Sequence, residues 1–274
     1  MNRHTVASIG DGNMMKKQLM LAAAALTATA CIAGCGSSDN AGAAKENATF
    51  IVGMEPTFPP FEFTENDKYV GFDLDLAQAL CDKMGVKMEV KSMGFDALIP
   101  ALKSGQIDMI ASGMDATEER AKQVAFTTPY FFDGYSVVVR KDNTTINGFD
   151  DLKGKVVGAQ VGTKPVDIAT EHGAATVKQY DANSQGWMEL NSGTCDAVVI
   201  NTSVALFYLK QGGDKDLKVV GESEVLNDGL AMAISKEKPE QLEKVNKALA
   251  DIKADGTYAQ IYKKWFGVEP PADK

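Results

Sequence analysis

One nine-residue pattern occurs twice in this chain of 274 residues, and it constrains the fold more than any other feature. Leu102-Lys103-Ser104-Gly105-Gln106-Ile107-Asp108-Met109-Ile110 and Leu190-Asn191-Ser192-Gly193-Thr194-Cys195-Asp196-Ala197-Val198 both read Leu-x-Ser-Gly-x-x-Asp-x-apolar. Such a pattern describes a helix halted by glycine, then a turn, then a buried strand. Val52-Gly53 and Val157-Gly158 open the two stretches in the same way. Around the repeat, strand-like and helix-like runs alternate. Phe50–Gly53 reads as a strand, and Asp73–Met84 sets Leu74, Ala77, Leu80, Cys81 and Met84 at helical spacing. Phe95–Lys103 reads as a helix in which Pro100 is awkward beyond the first turn, and Ile107–Ala111 as a strand. This alternation predicts an α/β fold with a mainly parallel sheet, built as two similar lobes. Toward the C-terminus, Gly221–Asn227 reads as a loop and Leu230–Ile234 as a strand returning to the first lobe. Helices over Pro239–Ala254 and Thr257–Phe266 follow, with a turn at Asp255-Gly256 between them.

Open α/β sheets bind ligands beyond the carboxyl ends of their strands. Two such lobes facing each other make a cleft. The residues that follow the strands are then its expected lining: Met54–Phe58, Ala111–Arg120, Ala159–Thr163 and Ile200–Thr202.

Composition narrows the function. A net charge of -9 gives no cationic footprint for nucleic acid. Two histidines and four cysteines do not furnish a histidine-rich or all-cysteine metal centre, and no cofactor is expected. There is no Gly-x-Ser-x-Gly elbow, His-Glu-x-x-His pair or phosphate loop.

The first residues read as a targeting segment. Lys16 and Lys17 precede an apolar run, Leu19–Ala30, of 12 residues, whereas a bilayer span needs about 20. Ile32-Ala33-Gly34-Cys35 then resembles a bacterial lipobox, which implies a signal peptide over 1–34 and a diacylglyceryl group on Cys35. An ordinary signal peptide cut nearby is the alternative, and Met14 or Met15 is an alternative start to Met1. Residues 35–47 read as a flexible tether of about 20 Å mean span. The expected location is extracytoplasmic, at the cell envelope, with the body held at the membrane through lipid. Cys81 and Cys195 are expected to be unpaired, small apolar residues.

A series of motifs in fixed order carries a family resemblance. They are Pro56-Thr57-Phe58-Pro59-Pro60-Phe61-Glu62, Gly71-Phe72-Asp73-Leu74-Asp75-Leu76-Ala77, and Phe95-Asp96-Ala97-Leu98-Ile99-Pro100-Ala101-Leu102. Gly113-Met114-Asp115-Ala116-Thr117-Glu118-Glu119-Arg120 and Val124-Ala125-Phe126-Thr127-Thr128-Pro129-Tyr130 come next. Leu152-Lys153-Gly154-Lys155, Val161-Gly162-Thr163, Asp255-Gly256-Thr257-Tyr258 and Lys264-Trp265-Phe266-Gly267 complete them. Over Phe50–Gly267 the chain resembles the family 3 bacterial solute-binding proteins, the polar amino-acid-binding proteins of ABC importers, and within them the arginine-binding branch.

The resemblance implies a type II periplasmic-binding-protein-like fold, two lobes with a hinge closing on one ligand. Lobe 1 would comprise 48–132 and 230–269, and lobe 2 134–227, with crossovers near Phe132–Gly134 and Leu226–Leu230. It implies that Arg120 holds the ligand carboxylate, a role suited to the two-pronged guanidinium. Ser112, Gly113, Gln160, Gly162 and Thr163 would add polar contacts, and Phe58 and Phe95 would flank the ligand side chain. Phe61, Phe63, Phe126 and Phe131 are assigned to packing. Asp115 and Glu55 favour a cationic ligand, arginine or lysine first. Asn201, where the family usually has aspartate for the ligand ammonium, and Lys164-Pro165 after the Gly-Thr pair depart from the pattern, as does Trp187. The expected partners are a free amino acid and a membrane permease, and the expected state is a monomer. Three alternatives stand beside the arginine or lysine reading: glutamine or another neutral polar ligand, a cyclohexadienyl-dehydratase-like enzyme on the same fold, and a surface lipoprotein that senses an amino acid.

Overall fold

The computed structural model describes residues 49–225 and 228–271. The proposed leader, the proposed tether, the proposed lipidation site Cys35 and the Leu226-Asn227 part of the second crossover lie outside the described residues. The chain begins with β1 (Thr49–Met54), then β2 (Thr57–Phe58), β3 (Glu62–Glu65), β4 (Lys68–Val70), α1 (Phe72–Met84) and β5 (Lys87–Ser92). It continues through α2 (Phe95–Lys103), β6 (Met109–Ile110), α3 (Glu118–Ala121), β7 (Ala125–Phe126) and β8 (Gly134–Arg140). Next come β9 (Val156–Gln160), α4 (Lys164–Glu171), β10 (Thr176–Tyr180), α5 (Asn183–Ser192), β11 (Ala197–Asn201) and α6 (Thr202–Lys210). The last elements are β12 (Leu217–Val225), β13 (Ala233–Ile234), α7 (Pro239–Ala254) and α8 (Thr257–Phe266).

Two five-stranded sheets organise the lobes, with strand orders β5-β1-β6-β13-β7 and β10-β9-β11-β8-β12. The sheets are mixed, which corrects the expectation of mainly parallel pairing. Each has three parallel strands on one side: β5, β1 and β6 in the first lobe, β10, β9 and β11 in the second. The remaining two strands of each sheet pair antiparallel, because they carry the chain between the lobes. Gly221–Val225 belongs to β12, across a register shift between Val220 and Glu224, and is not loop. Of Leu230–Ile234 only the last two residues form a strand, while Leu230 makes isolated bridges to Asp115 and Phe131. A small sheet, β2-β3-β4, has no counterpart in the sequence expectations. Pro100 lies well inside α2, and the carbonyl one turn earlier, at Asp96, belongs to an exposed residue.

The repeated nonapeptide does the same work in both lobes. Gly105 and Gly193 take left-handed backbone angles, φ 74° and 77°, where a side chain would be strained. Gln106 N–H then bonds Ala101 carbonyl at 2.9 Å, and Thr194 N–H bonds Glu189 carbonyl at 2.9 Å. Asp108 accepts the amide of Ile51 at 3.0 Å and donates its own amide to the Ile51 carbonyl at 2.7 Å. Asp196 accepts the amide of Val156 at 2.9 Å and donates to the Val156 carbonyl at 2.7 Å. In each lobe the repeat aspartate thus fixes the incoming strand against its neighbour, so the carboxyl ends of both face the same way.

Phe61, Phe72, Phe131, Tyr262 and Phe266 form an aromatic core under the first lobe, with Phe131 and Phe266 ring centroids 4.8 Å apart. Phe61 and Phe72 are wholly buried, each contributing about 2–3 kcal/mol by transfer from water. Phe126 is partly buried on β7, and Phe63 lies between Trp265 of its own lobe and Phe207 of the other, both at 5.9 Å. Trp187 is also core, stacked on Tyr208 at 4.6 Å. The thiols of Cys81 and Cys195 are free and buried, and burial pushes them up to about 12 and about 11. Among the described residues no helix is long and apolar enough to cross a membrane.

Candidate functional site

A small, partly enclosed cavity of about 20 Å³ lies between the two sheets. The first lobe lines it with Glu55, Phe58, Glu62, Phe95, Ser112, Gly113 and Asp115. The second lobe contributes Gln160, Thr163, Pro165, Asn183, Ile200 and Asn201. Most of these stand at strand ends or in the turns that follow, where the parallel strands of each lobe deliver them.

Glu55 follows β1 and is only 6% exposed. Its carboxylate accepts the Thr57 hydroxyl at 2.7 and 2.8 Å and the Gln160 side-chain amide of the opposite lobe at 3.1 Å. Burial raises its pKa, and these hydrogen bonds pull it partly back. The amide of Glu55 donates to Ser112 Oγ at 2.9 Å, and the Ser112 hydroxyl donates to Glu62 Oε1 at 2.8 Å. Gly113 N–H donates to Asp73 Oδ2 at 2.7 Å, an oxygen that also takes the Tyr130 hydroxyl at 2.6 Å. The Ser112 proton and the Gly113 amide are therefore engaged within the first lobe. Gly113 also has φ +48°, and a Cβ there would stand 2.6 Å from the Phe58 ring, so the aromatic wall depends on this glycine.

Glu62 and Asp73 form the floor behind these groups. Glu62 Oε2 and Asp73 Oδ1 are buried without a hydrogen-bond partner among the described residues. Burial first, then the neighbouring Asp73 charge, raises Glu62 well above the carboxylate range, and burial brings Asp73 to about 6. Asp115 accepts the Tyr135 hydroxyl at 2.7 Å, and its pKa is raised by burial against the pull of Tyr135 and Arg120.

Arg120 stands at the edge of the cavity and not in its lining. Its guanidinium donates to the Asp115 carbonyl at 2.9 Å and, across the lobes, to the Gly162 carbonyl at 3.0 Å. It sits 5.3 Å from the Phe95 ring centroid and 3.7 Å from the Asp115 carboxylate. With Gly162 it borders an adjoining open groove, and Phe95 and Thr163 line both spaces. Lys164 faces that groove too, 3.8 Å from Asp167, away from the enclosed cavity.

In the second lobe, the Thr163 hydroxyl donates to the Gln160 carbonyl at 2.7 Å, and Thr163 caps α4 with no side-chain hydrogen bond to the helix. Asn201, 6% exposed, ends β11, and its side-chain amide makes no hydrogen bond to another described residue. Phe58 and Phe95 are both buried in the cavity wall. Sequence reasoning missed Glu62 and Asn183. A charged residue inside Pro59-Pro60-Phe61-Glu62-Phe63 was a usable signal for Glu62. Asn183, at the start of a helix, reads from sequence only as a capping residue.

Two α/β lobes related by a repeated strand-turn unit, closed on a polar cavity, define a type II periplasmic-binding-protein-like molecule. The chain belongs to the bacterial extracellular solute-binding proteins, family 3, whose family model matches residues 50–268. Among its curated relatives, the arginine-binding extracellular protein ArtP of Bacillus subtilis is 38% identical over 92% of this chain and 98% of its own. The ABC transporter arginine-binding protein 1 of Escherichia coli is 40% identical over 78% of this chain and 89% of its own. Similar solved structures include an ancestral arginine-binding protein bound to glutamine, 48% identical, TM-score 0.78, covering 81% of this chain and 99% of that one. An ancestral amino-acid-binding protein described as a precursor of cyclohexadienyl dehydratase is 38% identical, TM-score 0.74, covering 80% and 96%.

Proposed function

We propose that this chain is the substrate-binding lipoprotein of an amino-acid ABC importer, with arginine or lysine as its favoured ligand. The observation that carries the preference is the cavity's charge. Among the described residues, the acidic side chains of Glu55, Glu62 and Asp115 line it, with Glu62 held toward its neutral form by burial, and no lysine or arginine does. A cationic side chain between the Phe58 and Phe95 rings, with its charged end toward Glu55, would be favoured by both the aromatic faces and the carboxylate. Arg120 is assigned the ligand carboxylate. It already spans both lobes at the cavity edge, beside the capping end of α4. Asp115, with Asn201 as a neutral partner, is assigned the ligand ammonium.

In this reading 48–132 with 230–269 and 134–227 move as two bodies about the crossovers near Phe132–Gly134 and Leu226–Leu230. Contacts to both bodies make the closed state lower in energy, so ligand shifts an open–closed equilibrium. Cys35 anchors the body to the membrane, and the closed form delivers its ligand to a permease as a monomer. The names of the relatives support amino-acid binding. A neutral ligand such as glutamine is the second reading, favoured by the uncharged Asn201 and by the ancestral relative that holds glutamine.

Calorimetry of ligand-free protein with the twenty amino acids tests the proposal. Arginine and lysine should bind most tightly. Binding of neutral amino acids alone would overturn the preference, and binding of none would overturn the function. Product formation from a cyclic dienol acid would move the assignment to the dehydratase class.

A further inference from the structure

The chain of hydrogen bonds behind Glu55 begins at a residue that no expectation singled out. Asn183 is the first residue of α5 and is 8% exposed. Its Nδ2 donates to Gln160 Oε1 at 3.0 Å. Gln160 Nε2 in turn donates to Glu55 Oε2 and to the Asp181 carbonyl, both at 3.1 Å. Every polar group of the Gln160 amide is thus engaged, and the three bonds agree on one orientation. Flipping that amide would set its oxygen against a carboxylate and a carbonyl, and its NH₂ against the Asn183 donor. The contacts to Glu55 and to the Asp181 carbonyl would become like against like inside a buried site, and so would the third as long as Asn183 keeps its nitrogen toward Gln160.

Orientation matters because Glu55 belongs to the first lobe and Gln160 to the second. With its nitrogen toward Glu55, Gln160 supports the ionised carboxylate and still leaves it lone pairs for a ligand cation. With its oxygen there, the same residue would repel the carboxylate. We propose that Asn183 is a positioning residue for ligand selection: by donating to Gln160 it makes the second lobe present an N–H to Glu55, which keeps Glu55 an acceptor for a cationic ligand head group. The selectivity half of this proposal rests on the amino-acid-binding reading, whereas the orientation half does not.

Two readouts separate them. The first is the titration of the Glu55 carboxyl by carbon-13 NMR in ligand-free protein. The facing groups are Thr57, Gln160 and the carboxyl of Glu62, which responds to the Glu55 charge. Asn183→Leu should move the Glu55 titration upward, Gln160→Leu should do the same, and the double variant should move it no further than either alone. The second is the ratio of affinities for arginine and for citrulline, its neutral isostere. Asn183→Leu should reduce that ratio about 10-fold, as expected when a charged acceptor loses an oriented partner. Asn183→Gln, with a longer reach to the same oxygen, should restore part of it. An unmoved Glu55 titration in folded Asn183→Leu protein overturns the positioning role. A moved titration with an unchanged affinity ratio overturns the selectivity role. A moved titration in protein that binds neither ligand keeps the positioning role and removes the amino-acid-binding reading.

Discussion

The two lobes share a scaffold and divide the chemistry. Asp108 and Asp196 hold the same place in the same turn, and the sheets mirror each other in order. Yet each of the three carboxylates lining the cavity comes from the first lobe, while the second supplies only neutral groups: Gln160, Thr163, Asn183 and Asn201 as polar side chains, with Pro165 and Ile200. The difference has a physical logic. Across the interface between the lobes, neutral donors such as Gln160 and Tyr135 meet carboxyl groups. A second set of carboxylates facing the first would oppose closure through like-charge repulsion and desolvation. Repetition of a structural unit therefore fixes the backbone frame, while the residues just beyond each strand differ and make an acidic half and a neutral half.

The largest effect expected from breaking this division is at Arg120, the cation that bridges the halves. Arg120→Ala should weaken amino-acid binding by roughly 100-fold or more, because a buried ligand carboxylate would lose its charged partner. Calorimetry measures it, and unchanged affinity would mean that the ligand carboxylate is held elsewhere. Next is Glu55→Gln, which makes the charged half more like the neutral one. Arginine affinity should fall about 10-fold or more while citrulline affinity changes little, since only the cation depends on the carboxylate charge. Equal losses for both ligands would assign Glu55 to the frame of the pocket.

The acidic groups of the first lobe should also respond to pH. Burial raises Asp73 to about 6, and it raises Glu55, Glu62 and Asp115 as well. A carboxyl with a folded-state pKa above its unfolded value binds protons more tightly when folded. Its contribution to stability is therefore greatest below the unfolded value and is lost as pH rises through the folded one. The melting temperature should thus receive a favourable contribution from Asp73 on acidification from pH 6.5 to 4.5. In Asp73→Asn, which keeps an oxygen for Gly113 N–H and the Tyr130 hydroxyl, that part of the dependence should vanish. A profile identical to wild type would place the titration elsewhere.

Much of the frame was legible because it is written in local chemistry. The helix-stopping glycines of the repeat marked where α2 and α5 end, and the repeat itself pointed to two lobes. The antiparallel halves of the sheets were not legible, because β8, β12 and β13 pair with strands far away in the chain, and no periodicity encodes such partners. In the site, Glu55, Ser112, Asp115, Gln160, Thr163 and Asn201 fall within the segments expected after the strands, and the family resemblance singled them out there. What they bond to was not legible. That Gly113 N–H is engaged by Asp73, or that Gln160 is oriented by Asn183, depends on side chains that meet only after folding.

A smaller effect is expected from the neutral half. Asn201→Ala should lower amino-acid affinity only about 3- to 10-fold, the loss of one neutral hydrogen bond, and should do so alike for arginine and citrulline. A loss as large as that of Arg120→Ala would show that the second lobe carries an electrostatic role despite its lack of charge.

The smallest difference tests the symmetry itself. Asp108→Ala and Asp196→Ala each leave a strand amide, of Ile51 or Val156, without its acceptor, at a cost of about 1–2 kcal/mol. The Asp108 carboxylate has one further partner, Lys238 at 2.9 Å, in a pair whose side chains are 44% and 25% exposed, while Gln241 bonds the Asp108 backbone carbonyl, which the substitution keeps. Solvent screening limits that pair to less than about 1 kcal/mol. Urea denaturation should therefore find the two variants within about 1 kcal/mol of each other, with Asp108→Ala the less stable. In 1 M salt, where exposed pairs are screened, the two should converge. If Asp196→Ala alone proved silent, the shared turn would be a likeness of shape without a shared energetic role. The second lobe would then have kept the pattern after losing its need for it.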